Sequence, residues 1–145
     1  MSFLFKKVCI ASDHAGFNLK EIIKDYLIDK HVSIFDLGPY KNKSVDYPDY
    51  AKRLAKRVKD KKSDIGILVC GSGTGMAISA NKIKDIRAAV CYNQKSTRLS
   101  RQHNNANIIA LGARLTKKSL SLRLVDLFLK TKFEGGRHLK RVKKI

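Results

Sequence analysis

Short apolar runs alternate along the chain with segments whose apolar residues recur every three or four positions. Val8–Ser12 (VCIAS) predicts a buried strand. Leu19, Ile22, Ile23, Tyr26 and Leu27 then fall at i, i+3, i+4, i+7 and i+8, which lines one face of a helix. Val32–Leu37 predicts a second strand, ended by Gly38-Pro39. Pro48 suits a helix entrance, and Ala51, Leu54, Ala55 and Val58 continue at helical spacing. Ile65–Cys70 (IGILVC) does not alternate, so the third strand is expected to be buried on both faces. A glycine-rich turn, Gly71 to Gly75, leads into a short helix from about Met76 to Lys82. Arg87–Tyr92 and Asn107–Gly112 predict strands four and five, separated by a polar helix around Lys95–His103. The last long helix, Thr116–Lys130, carries leucines on more than one face, which predicts burial on two sides and points to a subunit interface.

This β-α alternation predicts an α/β fold: one three-layer domain over residues 1–145, with a five-stranded parallel sheet and helices on both faces. In open sheets of this kind ligands bind beyond the carboxyl ends of the strands. The residues there are Ser12-Asp13-His14, Asp36, Cys70 with its glycine turn, Tyr92-Asn93 and Gly112-Ala113-Arg114. No internal repeat, linker or low-complexity tract interrupts the pattern.

Composition narrows the function classes. A hydrophobic content of 43% excludes a disordered chain despite the charge. No apolar stretch approaches the ~20 residues of a membrane span. The opening MSFLFKKVCI lacks the order of charge and apolar core that a signal peptide needs. Cys9, Cys70 and Cys91 form no CxxC pair, which suits reduced thiols and a cytoplasmic setting. The 31 Lys+Arg against 12 Asp+Glu give a net charge of +19, which predicts attraction of anions and raises the reading of a nucleic-acid-binding module. Against that reading, the chain has no helix-turn-helix, zinc or RNP-like signature, and no aromatic residues interleave with the basic runs. The densest basic run, Lys52–Lys62, keeps an apolar face at helical period, so its charges form the solvated side of an amphipathic helix.

Chemistry concentrates in Cys70-Gly71-Ser72-Gly73-Thr74-Gly75. Alternate glycines after a buried strand let the backbone turn sharply and bring its N–H groups to a phosphate or a developing oxyanion. A helix start beside a thiol also favours thiolate. The bland alternative is a tight turn with a buried cysteine. The spacing does not fit G-x-G-x-x-G, because Met76 and Ile78 occupy the last positions of the two registers. Neither a phosphate-binding G-x-x-x-x-G-K-[ST] loop nor a G-x-S-x-G elbow is present, which argues against nicotinamide, ATP and esterase chemistry. Asp13-His14 reads either as an acid and imidazole at the ligand edge or as a helix cap beside a solvated histidine. His103, within Arg101-Gln102-His103-Asn104-Asn105, reads either as an acid/base or as a helix end. Arg137 and Arg141, four apart, would share one helix face as a phosphate clamp, or else belong to a basic tail.

The ordered set Ser12-Asp13-His14-Ala15-Gly16, Asp46-Tyr47-Pro48, Cys70-Gly71-Ser72-Gly73-Thr74-Gly75, Ala80-Asn81-Lys82, Ser100-Arg101-Gln102-His103-Asn104, Leu111-Gly112-Ala113-Arg114 and Glu134-Gly135-Gly136-Arg137-His138 resembles the ribose-5-phosphate isomerase B family, which also includes subunits of galactose-6-phosphate isomerase. The resemblance implies a Rossmann-like domain that works without metal or other cofactor, as a homodimer or dimer of dimers. It implies isomerisation of D-ribose 5-phosphate and D-ribulose 5-phosphate through an enediol(ate), a step of the non-oxidative pentose phosphate pathway, with a hexose 6-phosphate as the alternative substrate. By position, it makes Cys70 the base between C1 and C2 and Ser72 the aid to proton transfer between O1 and O2. Gly71, Gly73, Thr74 and Gly75 would hold the enediolate through their amides. His103, with Asp13 opposite, would open the sugar ring, while Asn104 and Tyr47 orient hydroxyls. His14, Arg137 and Arg141, with Arg114, would hold the phosphate. The resemblance also places the sites at the subunit interface, with segment 131–145 packed on the partner. It implies neither a specific nucleic acid nor a membrane as partner.

Overall fold

A computed structural model describes residues 2–145; Met1 lies outside the described residues. The strands β1 (Lys7–Ser12), β2 (Ser33–Asp36), β3 (Ile65–Cys70), β4 (Ala88–Val90) and β5 (Ile108–Gly112) alternate with helices α1 (Phe17–Asp29), α2 (Tyr47–Lys59), α3 (Thr74–Ala80), α4 (Gln94–Gln102), α5 (Lys118–Lys130) and α6 (Arg137–Val142). All strand pairs are parallel, and the sheet order is β2-β1-β3-β5-β4. The chain steps outward from β1 to β2, then returns across β1 to build the other half from β3. The crevice between the ends of β1 and β3 is therefore the switch point where open α/β sheets bind ligands.

The period-2 geometry of the strands sorts the core into two layers. Val8, Ile10, Ile65, Ile67, Val69, Ile109 and Leu111 face Leu19, Ile23 and Leu27 of α1 and Leu124, Val125 and Phe128 of α5. Cys9, Ala11, Leu68, Cys70, Ile108 and Ala110 face Ala51, Leu54, Ala55 and Val58 of α2 and Met76, Ala77 and Ala80 of α3. β3 is buried over its whole length, as its unbroken apolar pattern predicts. A Cβ at Gly66 would run into the Leu54 side chain, so the missing side chain lets α2 lie close on the sheet. The basic run is amphipathic as expected over its helical part, which ends at Lys59, with Lys52, Arg53, Lys56 and Lys59 exposed.

Three details differ from the sequence reading. α3 starts at Thr74, two residues before the expected Met76, because Gly73, at φ 83°, turns the chain directly before it. β4 is only three residues long and half-buried, as suits a sheet edge. The Asn81 side chain starts it, donating to the Ala88 carbonyl (3.0 Å) and accepting from its N–H (2.7 Å). The leucine surplus of α5 is largely taken up inside the chain, where Leu120 and Leu122 join Phe3 and Phe5 against the core. The unpacked element is instead α6, none of whose residues is buried.

Candidate active site

β3 delivers Cys70 to the switch point with its thiol beneath the glycine turn. The Gly73 N–H donates to Cys70 Sγ (3.1 Å), and the Thr74 N–H donates to Ser72 Oγ (3.2 Å), so the turn wraps both side chains. The exit of β5 braces this turn. Ala113 N–H donates to the Cys70 carbonyl (2.8 Å) and Arg114 N–H to the Gly71 carbonyl (3.0 Å). A Cβ on Gly112 would sit 2.8 Å from the Ser72 carbonyl, which explains why glycine ends β5. Gly73 combines its positive φ with a Cβ position 3.1 Å from the Leu111 carbonyl carbon. Gly73→Ala is therefore expected to lower stability by about 1–3 kcal/mol, read by urea unfolding, and to weaken the cleft with it.

From β1, Asp13 donates its N–H to the Val69 carbonyl (3.1 Å) and accepts the Gly16 N–H on Oδ1 (2.9 Å). Its carboxylate therefore holds the turn that leads into α1, whose N-cap is Gly16. A Cβ at Gly16 would overlap the Val69 carbonyl, so glycine alone lets α1 begin this close to β3. His14 is exposed beside it. Tyr47 opens α2 and lays its ring on Gly75, where a Cβ would approach to 2.6 Å.

Asp13, Tyr47, Cys70, Gly71, Ser72, Gly75, Arg114 and Leu115 line an open cleft of about 410 Å³. Cavities of about 760 and 800 Å³ lie elsewhere, around the N-terminal segment and α5, but they contain no thiol and none of the expected site residues. Chemistry, not volume, selects the smaller cleft.

The remaining expected residues form a second cluster. His103 ends α4, and its ring stacks on His138 of α6 with centroids 4.2 Å apart and planes 12° from parallel. Glu134 Oε1 lies 3.7 Å from His103 Nε2 and 3.6 Å from His138 Nε2. Desolvation, then the neighbouring His103 and Arg137 charges, hold His138 below the usual imidazole range against the pull of Glu134. Arg137 and Arg141 share α6 at helical spacing. Arg101 proves to be the strut of this region rather than a ligand. Buried, it donates to the carbonyls of Thr131 (3.1 Å) and Ala106 and to Asn105 Oδ1 (3.1 Å), tying α4 to the C-terminal segment. Burial, then the Arg87 charge, lowers its pKa to about 10, so it stays a cation at neutral pH.

None of His103, Asn104, Arg137 and Arg141 lines the Cys70 cleft within one chain, and His103 is grouped with His138 rather than with Asp13. Asn104 borders a separate hollow with Asn81, Ala106 and Ile145. Sequence reasoning assigned no role to Leu115, which lines the cleft, or to the Tyr92 hydroxyl, which donates to the Ser72 carbonyl (2.8 Å). The position of Tyr92 just past the carboxyl end of β4 was the available signal. Glu134 and His138 carry one in their i, i+4 spacing.

A sequence model of the ribose/galactose isomerase family matches residues 8–145. The chain belongs to this family. Among its relatives, the ribose-5-phosphate isomerase B of Escherichia coli is 43% identical, over 97% of this chain and 94% of the relative. The solved ribose-5-phosphate isomerase B of Clostridium thermocellum is 49% identical and superposes with a TM-score of 0.94, covering 95% of this chain and 93% of that one. The enzyme of Mycoplasma genitalium, solved with bound ribulose-5-phosphate, is 45% identical with a TM-score of 0.91, covering 94% and 91%. The Rossmann-like isomerase fold expected from the sequence is thus the fold observed. No helix among the described residues is long and apolar enough to cross a membrane.

Proposed function

We propose that the protein interconverts D-ribose 5-phosphate and D-ribulose 5-phosphate through an enediolate, as an aldose–ketose isomerase. The observation that carries this reading is the Cys70 thiol, held by the Gly73 amide at the wall of a cleft that Asp13, Ser72 and Arg114 share. The ligand of the Mycoplasma genitalium relative supports it. Cys70 Sγ takes the proton from C2 of the open-chain aldose and returns it to C1. Ser72 Oγ passes the hydroxyl proton between O1 and O2. The turn's remaining amides, beyond those of Gly73 and Thr74 already bonded to Cys70 and Ser72, balance the charge of the enediolate oxygen. Tyr47 orients the sugar hydroxyls at the rim.

The second half of the site comes from another copy of the chain. A six-residue helix with no buried residue cannot hold its shape through its own hydrogen bonds alone. Packing segment 131–145 on a partner supplies the missing contacts and carries Arg137 and Arg141 to the partner's cleft. There they hold the phosphate together with His14 and Arg114. His103 and Asn104 come with them, and His103 opens the furanose ring facing the partner's Asp13. Three unpaired cysteines suit such an enzyme in the cytoplasm. The +19 charge favours capture of a sugar phosphate.

Subunit mixing tests the whole reading. Cys70→Ala and His103→Ala should each be nearly inactive on ribose 5-phosphate. Co-refolded, they should recover about a quarter of wild-type turnover, because half of randomly paired two-fold dimers carry one intact site. No recovery from a folded mixture would place all the residues in one chain. Faster turnover of allose 6-phosphate than of ribose 5-phosphate would move the assignment to hexoses.

A further inference from the structure

We propose that His103, Glu134 and His138 form a capture site for a divalent cation of the zinc class, and that its occupation takes His103 out of the reaction. The metal is a blocking ligand here, not a cofactor. Two imidazoles and one carboxylate are the donor set that zinc selects, and one donor atom from each residue lies within 4.8 Å of the others. The observed Glu134 Oε1 separations of 3.7 and 3.6 Å compare with about 3.3 Å between ligands of a tetrahedral zinc. For an ion to enter, the stacked rings must turn until both nitrogens face the Glu134 carboxylate.

Each ligand's backbone N–H is hydrogen-bonded within the chain. His103 N–H donates to the Leu99 carbonyl (2.9 Å), Glu134 N–H to Gln102 (3.0 Å) and His138 N–H to Gly135 (3.0 Å). Only side-chain torsions need to move. The Arg137 and Arg141 charges on the same helix oppose any ion held by charge alone. The site therefore discriminates against magnesium and calcium, which need several oxygen ligands. Zinc binds through nitrogen donors despite the local positive field.

The blocking half of the inference rests on the ring-opening role of His103; the binding half does not. Isothermal titration of the metal-free full chain with zinc chloride should show one site per chain. Glu134→Gln and His138→Asn should each weaken it at least about tenfold, whereas Cys70→Ala should leave it intact. Binding that survives both ligand variants, or that vanishes with Cys70→Ala, overturns the site. In the activity arm, zinc should abolish ribose 5-phosphate turnover, EDTA should restore it, and Glu134→Gln should shift the inhibition midpoint upward at least about tenfold. Retained turnover at zinc saturation overturns the blocking role. A chain that binds zinc at this site but turns over no ribose 5-phosphate even when metal-free defeats the isomerase reading instead.

Discussion

Cys70→Ala is expected to lower ribose 5-phosphate isomerisation by about 10²–10⁴-fold while leaving the fold intact. A proton next to a sugar carbonyl is weakly acidic, so the site needs a base at a fixed place, and alanine offers none. The fold survives because Cys70, though buried, also lines the open cleft, so water can enter where the sulfur was and take up the Gly73 N–H. The other two thiols serve as controls. Cys9 is buried, with its thiol against the Ile65 carbonyl, and burial pushes its pKa up to about 11. Burial raises Cys91 as well. Neither forms a thiolate base at neutral pH, and neither lines the cleft. Cys9→Ala and Cys91→Ala should keep wild-type turnover per folded molecule. Near-wild-type activity in Cys70→Ala, with circular dichroism unchanged, would remove the thiol from the mechanism.

Half of the site was legible from the chain because local rules reach it. Buried parallel strands are readable as unbroken apolar runs, and the rule that ligands sit past their carboxyl ends pointed to Asp13, Cys70 and Arg114 together. The glycines of the turn follow from contacts that only glycine permits, as at Gly73 and Gly112. The sheet order was not legible, since hydrophobic period says which face a residue takes but not which strand lies beside it. The 131–145 segment resisted for a different reason. Its α6 buries none of its residues against the rest of the chain, so no packing pattern within the chain fixes where Arg137 and Arg141 point. Of the α5 leucines, Leu124 and Leu129 are buried in the core, and Leu120 and Leu122 pack against it only partly buried. Lys20 hid most fully. It falls between Leu19 and the Ile22-Ile23 pair in an ordinary amphipathic pattern, yet its side chain is completely buried.

Asp36→Asn is expected to cost about 3 kcal/mol of stability, the low end of the range for breaking a buried ion pair. Lys20 Nζ contacts both Asp36 oxygens, at 2.8 and 2.7 Å, with its side chain 0% exposed. Lys24 adds a 3.0 Å contact to the same carboxylate. Asparagine keeps the shape but leaves the Lys20 charge with Glu21, 3.6 Å away and partly exposed, as its remaining acidic neighbour. The effect should reach the cleft too. Asp36 Oδ1 also accepts the Gly38 N–H (2.8 Å), and the Gly38 carbonyl accepts the Ser12 N–H (3.1 Å) directly before Asp13. Burial alone would raise the Asp36 pKa, but the bonds from Lys20, Gly38 and Lys24 outweigh it and hold it below the ordinary carboxylate value. A depressed folded-state pKa contributes stability that is fully present above the unfolded value and is lost as pH falls through the folded one. The gap between wild type and Asp36→Asn in urea unfolding should therefore be widest near neutrality and narrow on acidification below the usual carboxylate range. Adding Lys20→Met should recover much of the loss, since an apolar side chain needs no counter-ion in the same space. A single variant within 1 kcal/mol of wild type at pH 7, or a double variant weaker than the single one, would mean that the carboxylate is not what keeps Lys20 inside.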